Sequence, residues 1–293
     1  MNPSSGSAQR KIIGALSLTQ IIGGLGNGAG LAVGALLIED ISGSAGLAGL
    51  AVTFMMVGAA ALTVPLSNLA LARGRRFALP IGWALGALGA ALTVAGAVNE
   101  SVSIILLGFA FFGSSSAANL QSRFAAADRA APHAVATSIS IVVWSTTIGA
   151  VAGPNLTGPG EAVAKQLALP VLAGPMVLSW AAFLLAALTT WLLLRPEPLA
   201  TLTERHSPRP RTRDALTHVK GIVFTAIVTV ALSHAVMVSV MALTPVHMKH
   251  HEASLSIIGF TISLHIAGMY AASPLFGWLT DLWVPGRTIL DIA

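Results

Sequence analysis

Eight runs of predominantly apolar residues, each about 20 residues or longer, constrain the fold of this chain more than any other feature. An α-helix of about 20 apolar residues crosses the ~30 Å hydrocarbon core of a bilayer, and it satisfies its own backbone hydrogen bonds there. A transmembrane β-barrel would show alternating segments of about 10 residues instead. The sequence therefore predicts an all-α polytopic membrane protein. The runs are residues 12–37, 46–69, 77–98, 102–121, 134–156, 169–194, 221–246 and 255–280.

Composition supports the same class. The chain is 55% hydrophobic and 9% charged, whereas about a quarter of the residues in soluble domains are charged. It contains no cysteine, which excludes disulfides and thiol catalysis. The first run is too long for the apolar part of a signal peptide, so we expect it to be a retained span.

A hydrophilic segment at residues 195–220 divides the runs unequally. It is rich in Arg and Pro and cannot bury enough apolar surface to fold alone, so it is predicted to be a linker. The predicted organisation is a six-span N-terminal bundle at 1–194, a cytoplasmic linker at 195–220 and an incomplete C-terminal bundle at 221–293. That last part holds spans seven and eight.

The basic residues predict an orientation. All of the 16 Lys and Arg except Lys165 and Lys249, which leaves 14, fall on the side of the N-terminus and the linker. By the positive-inside rule this side is cytoplasmic, and we expect a multi-pass protein of the plasma membrane. The same rule explains the high isoelectric point without nucleic acid as a partner.

Few polar residues are predicted to lie at membrane depth. His234 and His265 fall near the middle of spans seven and eight, and an imidazole can exchange a proton near neutral pH. Asn27, Gln121 and Asn155 are further candidates for a substrate cavity. The alternative is structural: neutral imidazoles hydrogen-bonded to a neighbour, and amides that join helices.

Span five contains a pattern of small residues around a proline. Gly149, Gly153, Pro154 and Gly158 follow a spacing that resembles the GxxxGPxxGG antiporter motif of the major facilitator superfamily, with Thr157 in place of one glycine. By itself, a proline inside a span predicts a bend that neighbouring glycines accommodate.

The segment after span eight resembles a second motif of that superfamily, GxLaDrxGR. It is carried here by Gly277, Asp281, Gly286 and Arg287. The resemblance implies that Asp281 caps an adjoining helix start and pairs with Arg287, as a latch that breaks when the two bundles rock.

The corresponding loop between spans two and three keeps only part of this motif. It retains Gly74, Arg75 and Arg76 but has Leu71 where the motif has an aspartate. We therefore expect the latch in the first half to be weakened.

The resemblance implies a secondary transporter that moves a small molecule by alternating access, closest to the drug–proton antiporters. Proton-coupled efflux follows as the expected activity, with a lipid bilayer, a substrate and protons as partners, and with no enzyme activity and no cofactor. Phe109 and Phe112 stand near the place where that branch has an arginine in span four. The superfamily has twelve spans, so the resemblance also implies a chain truncated after the eighth.

Two alternatives remain open from the sequence. His247, His250 and His251, with nearby methionines, form a group of imidazole and thioether donors that would suit a metal-binding protein or a membrane metalloenzyme. Lys249 within this group would repel a cation. The other alternative is a truncated remnant that does not transport.

Overall fold

A computed structural model describes residues 3–198 and 221–283, and within those ranges all regular structure is helical. The α-helices are Pro3–Ser42, Leu50–Arg73, Arg75–Val98, Val102–Ala127, Val135–Ala152, Thr157–Gln166, Gly174–Leu193, Ile222–His250, Leu255–Tyr270 and Ser273–Trp283. Short 3-10 helices occur at Ala45–Leu47, Pro132–Ala134, Gly153–Leu156 and Val171–Ala173.

Eight of the described segments are long and apolar enough to cross a membrane, which confirms the predicted fold class. We number them span one to span eight in chain order. They are Gly6–Ser42, Ala45–Arg73, Arg75–Val98, Val102–Ala127, Val135–Gln166, Val171–Leu193, Ile227–His250 and Leu255–Leu282.

Spans four and five are among the spans that are longer than the sequence predicted. Span four ends at Ala127 rather than at residue 121, because arginine and alanine are good helix formers and carry the helix onward. Span five continues past Pro154 to Gln166, since the proline stands at the start of a single 3-10 turn and the helix resumes at Thr157.

Span one packs against spans four, five and six, and its glycines admit large aromatic rings. A Cβ at Gly23 would lie 2.2 Å from the ring of Trp83, and one at Gly30 would lie 2.3 Å from the ring of Phe112. Trp83, Phe112 and Phe183 are fully buried, with the Phe112 and Phe183 ring centroids 4.9 Å apart. These rings fill the centre of the six-span unit.

Spans seven and eight contact the other six through one face. Span seven lies against span one, and span eight lies along span five at both of its ends. Little of span seven is buried, and its other faces expose apolar side chains such as Val230 and Val236.

We call the end of the molecule that contains Arg75, Asp128 and Asp281 the linker end. The opposite end, which contains Glu39 and His250, is called the far end. Residues 199–220 of the predicted linker lie outside the described residues.

Candidate functional site

A cavity of about 390 Å³ lies between spans one, two, four and five on one side and spans seven and eight on the other. Its wall is mostly apolar and includes the methionines Met55, Met56, Met237, Met241 and Met269. Its polar groups are Asn27, Thr63, Ser116, Asn119, Arg123, Thr146, His234 and Tyr270. A pocket of this size and character is typical of sites for small organic molecules.

Two of the predicted site residues line this cavity. Asn27 projects from span one, and its Oδ1 accepts a hydrogen bond of 2.6 Å from the Ser115 hydroxyl. His234 reaches the cavity from span seven. His265, by contrast, is exposed on span eight and is not part of the cavity wall, so the structure does not bring the two histidines together.

Gln121 and Asn155 have other surroundings. Gln121 is buried at the linker end, where its Oε1 accepts a hydrogen bond from the guanidinium of Arg75. Asn155 follows the proline of span five, and its Nδ2 donates to the Ser263 hydroxyl of span eight at 2.8 Å. The Ser263 hydroxyl also lies 2.6 Å from the Val151 carbonyl, so this pair of residues joins the bend of span five to span eight.

Arg123 is a cavity residue that the sequence reasoning missed. The predicted end of span four at residue 121 puts Arg123 in a loop, but the longer helix carries it into the cavity wall. Its Nη2 donates to Asn119 Oδ1 at 3.1 Å, and its Nε is buried and has no hydrogen-bond partner within residues 3–198 and 221–283. Helical spacing could have found it, because Asn119 and Arg123 are four residues apart and share a face.

At the linker end, Asp281 holds span eight against the start of span five. Its carboxylate accepts hydrogen bonds from Ala136 N at 3.0 Å, Thr137 N at 2.7 Å and Thr137 Oγ1 at 2.6 Å. These backbone N–H groups belong to the first turn of the helix Val135–Ala152, where a negative charge is favoured by the unpaired donors and the helix dipole. One turn away, Gly277 allows close approach, since a Cβ there would lie 2.2 Å from Ser140 Oγ.

A second group of charges joins spans three and four to the residues after span six at the same end. Arg75 is buried and pairs with Asp128, with 3.0 Å between Nε and Oδ2. The Glu197 carboxylate accepts from the backbone N–H groups of Arg75 at 2.7 Å and Arg76 at 3.0 Å, and so caps the start of span three. Gly74, at φ +92°, allows this approach, because a Cβ there would lie 2.6 Å from the Glu197 carboxylate.

The acids of this group therefore come from distant parts of the chain and not from the loop that carries Leu71. Burial raises the pKa of the Asp128 carboxyl above its usual range, because desolvation outweighs the hydrogen bond and the charge of Arg75, and the nearby Glu197 adds to the increase.

At the far end, the last turn of span one meets the last turn of span seven. Glu39 Oε1 lies 2.5 Å from His250 Nε2, and Asp40 Oδ1 lies 3.8 Å from Lys249 Nζ. His247 and His251 pack edge to face, with ring centroids 4.7 Å apart. In the part of the chain that the structure describes, no three His, Asp or Glu side chains are grouped closely enough to hold a metal ion.

The glycines of the span five motif form its contact with span one. A Cβ at Gly149 would lie 2.0 Å from the Ile21 carbonyl oxygen, and one at Gly153 would lie 2.6 Å from the Leu25 carbonyl oxygen. Small residues at four-residue spacing allow two helices in a membrane to approach this closely. Gly158 has open space around it and takes no part in the contact.

Comparison with known families decides the classification of this arrangement. The model of the Major Facilitator Superfamily matches residues 16–290, which is nearly the whole chain. The chain belongs to the major facilitator superfamily.

Relatives in this superfamily extend over most of the chain. The MFS-type transporters YddS and YdeG of Bacillus subtilis are 38% and 36% identical to it, over 97% and 98% of its length. The riboflavin transporter RfnT of Brucella anthropi is 26% identical over 93% of the chain. The chain spans about two thirds of the length of these relatives, 66%, 68% and 67% respectively.

A solved structure shows the same fold. The human organic anion transporter MFSD10 (TETRAN) matches with a TM-score of 0.60 over 95% of this chain and 74% of its own, at 17% identity.

Two superfamily features noted in the sequence can now be placed. Phe109 and Phe112 are buried in the aromatic core of the six-span unit, so that part of span four packs and does not line the cavity. Gly286 and Arg287, the last part of the motif that contains Asp281, lie outside the described residues.

Proposed function

We propose that this superfamily member is a secondary transporter of a small organic molecule that works by alternating access. The observation that carries the proposal is the position of the cavity. It lies between spans seven and eight and the other six, and contacts between these same two sets of spans are present at both ends of the molecule. In this proposal, Asp281 with the start of span five closes the linker end, and Glu39 with His250 closes the far end.

Breaking one of these contacts while keeping the other would expose the cavity to one side of the membrane at a time. The linker-end contact depends on one carboxylate and one helix start, which can separate without unfolding either helix. The glycine contact between spans one and five lies within the six-span unit, so it keeps that unit rigid during the motion.

We further propose proton-coupled efflux across the plasma membrane, with the N-terminus and the linker in the cytoplasm. His234 is the imidazole in the cavity wall, and no lining residue among those described carries a carboxylate. His265 remains a candidate by its depth in span eight. The distribution of Lys and Arg supports the orientation.

Riboflavin is a reasonable first test substrate, because RfnT of Brucella anthropi is named a riboflavin transporter. Liposomes that contain the purified chain are loaded with riboflavin and a trapped pH-sensitive dye. An inward proton gradient is then imposed, and both fluorescence signals are followed. We expect riboflavin efflux and proton entry to rise together, above the rates in protein-free liposomes.

The histidine variants separate coupling from transport. His234→Gln keeps a hydrogen-bonding side chain but cannot titrate, so efflux should continue and lose its dependence on the gradient. His247→Gln is the matched control, because this residue lies at the far end outside the cavity wall. Flux of neither riboflavin nor the organic anion 2-naphthoate in the wild-type chain would contradict transport, and an unchanged gradient dependence in His234→Gln would contradict its role in coupling.

A further inference from the structure

We infer that Arg123 is the substrate-binding cation of the cavity and that the substrate class is an organic anion, an apolar body that carries a carboxylate, phosphate or sulfonate. The inference rests on the proposed transport function and specifies its substrate.

Arg123 lies at the linker-end floor of the cavity. It is four residues before Ala127, the last residue of its helix, which corresponds to about 6 Å along the axis. Among the described residues, no carboxylate lies within ion-pair distance of it. In the described part of the chain, it donates to the neutral Asn119 side chain, and its buried Nε has no partner there.

A half-buried cation without a counter-charge is costly in a membrane protein, and such residues mark substrate pathways when they face a cavity. Arg75 provides the comparison within this chain. It is more deeply buried than Arg123, but its guanidinium pairs with Asp128 and donates to Gln121, so its charge is compensated by the protein itself. The charge of Arg123 lacks such compensation among the described residues, and a bound anion would supply it.

The shape of the free group favours an oxyanion. The guanidinium holds its N–H donors in a planar fork that fits a carboxylate, phosphate or sulfonate through two parallel hydrogen bonds. One arm of the fork, Nη2, is held by Asn119, which orients the group, while the buried Nε has no acceptor among the described residues. A small shift of the side chain would expose Nε, and a substrate oxygen that accepts from it would satisfy this donor.

The rest of the cavity favours an apolar body of substantial size. Five methionines in its wall are flexible and polarizable, so they adapt to aromatic and irregular shapes. Since the described wall has no acidic residue, nothing in it would repel an anion or attract an organic cation.

Equilibrium binding to the purified full chain tests this directly, with 2-naphthoate as the anionic probe and 2-naphthamide as its neutral counterpart. The two probes share an aromatic body and differ in charge. Each is titrated against the wild-type chain and against Arg123→Gln and Arg123→Lys, with bound ligand measured by equilibrium dialysis in detergent. The far-end variant Lys165→Gln removes the same charge outside the cavity and serves as the control.

We expect the wild-type chain to bind naphthoate at least about tenfold more tightly than naphthamide, as for a hydrogen bond to a charged group. Arg123→Gln should remove this preference and leave naphthamide binding unchanged. Arg123→Lys should retain part of it, because an ammonium keeps the charge but loses the fork. Lys165→Gln should behave like the wild-type chain.

Equal binding of the two probes by the wild-type chain, binding of neither, or a preference that survives Arg123→Gln would overturn the inference. Naphthamide binding to Arg123→Gln shows that this variant is folded. Because binding is measured without flux, the result is independent of transport: a chain that prefers naphthoate but moves no solute refutes the proposed function alone. A chain that transports without preferring the anion refutes the substrate class alone.

Discussion

Replacing Asp281 with asparagine should open the linker end of the cavity. The carboxylate accepts three hydrogen bonds from the start of span five, at 2.6 to 3.0 Å, and asparagine keeps one acceptor oxygen while its NH₂ group cannot accept. The substitution also removes the negative charge at a helix start, which is worth up to about 2 kcal/mol when partly buried. A net loss of about 2 kcal/mol corresponds to an increase of about 30-fold in the ratio of open to closed molecules.

The assay uses a single cysteine beneath this contact. The chain contains no cysteine, so Ser140→Cys introduces the one reactive thiol, at a position that is buried under Gly277. The rate of maleimide labelling is compared with and without Asp281→Asn in this background. If opening precedes labelling as a rapid equilibrium, the rate should rise by about the same 30-fold.

Two further variants make the comparison specific. Thr137→Val removes one of the three hydrogen bonds and should give a smaller increase in labelling. Glu161→Gln removes an exposed carboxylate at the far end and should give none. A labelling rate within twofold of the parent in Asp281→Asn, or an equal rise in Glu161→Gln, would refute the assignment of Asp281 as the linker-end closure.

Three other predictions concern packing, pH and the far end. Gly149→Ala should lower the free energy of unfolding by about 1–3 kcal/mol, because its Cβ would lie 2.0 Å from a carbonyl oxygen of span one. Gly158→Ala has open space around it and should be neutral or stabilising by up to about 1 kcal/mol. Thermal unfolding in detergent measures both, and equal shifts in the two variants would contradict the packing assignment. Burial raises the pKa of Asp128, so the folded chain holds the proton of this carboxyl more tightly than the unfolded chain does. The contribution of Asp128 to stability should therefore fall as the pH rises from 3.8, its usual pKa, through the raised pKa of the folded chain. Subtracting the pH profile of Asp128→Asn from that of the wild-type chain isolates this decrease, and a difference that rises with pH would reverse the sign. Thr146 lines the cavity, so a cysteine introduced there reports on access to it. His250→Gln should increase, by several fold, the rate at which maleimide added on the far side of the membrane labels this cysteine. An increase only for maleimide added on the linker side would contradict the far-end closure.

The amino-acid sequence by itself determines that this chain is a bundle of membrane-spanning helices. Apolar length and the absence of water in a bilayer leave helices as the way to satisfy the backbone, so the eight spans follow from local composition. The small-residue pattern with Gly149 and Gly153 likewise indicated a close helix contact, because spacing along one helix fixes which residues share a face. The sequence could not identify span one as the partner.

Tertiary structure decided which residues share a site. Gln121 and Asn155 looked like cavity residues from their depth, but depth does not specify which way a side chain faces or which helix lies opposite. The acid missing at Leu71 is replaced by Asp128 and Glu197, which are close to Arg75 in space and distant along the chain. Arg123 was missed for a simpler reason, because its place in the cavity depends on where span four ends. The last turn of that span is polar, and a polar turn at the end of an apolar run is predicted to be a loop. Packing sets how each helix is rotated about its axis and which distant segments touch. It therefore determines that the charge of Arg75 is compensated within the protein and that the charge of Arg123 faces the cavity.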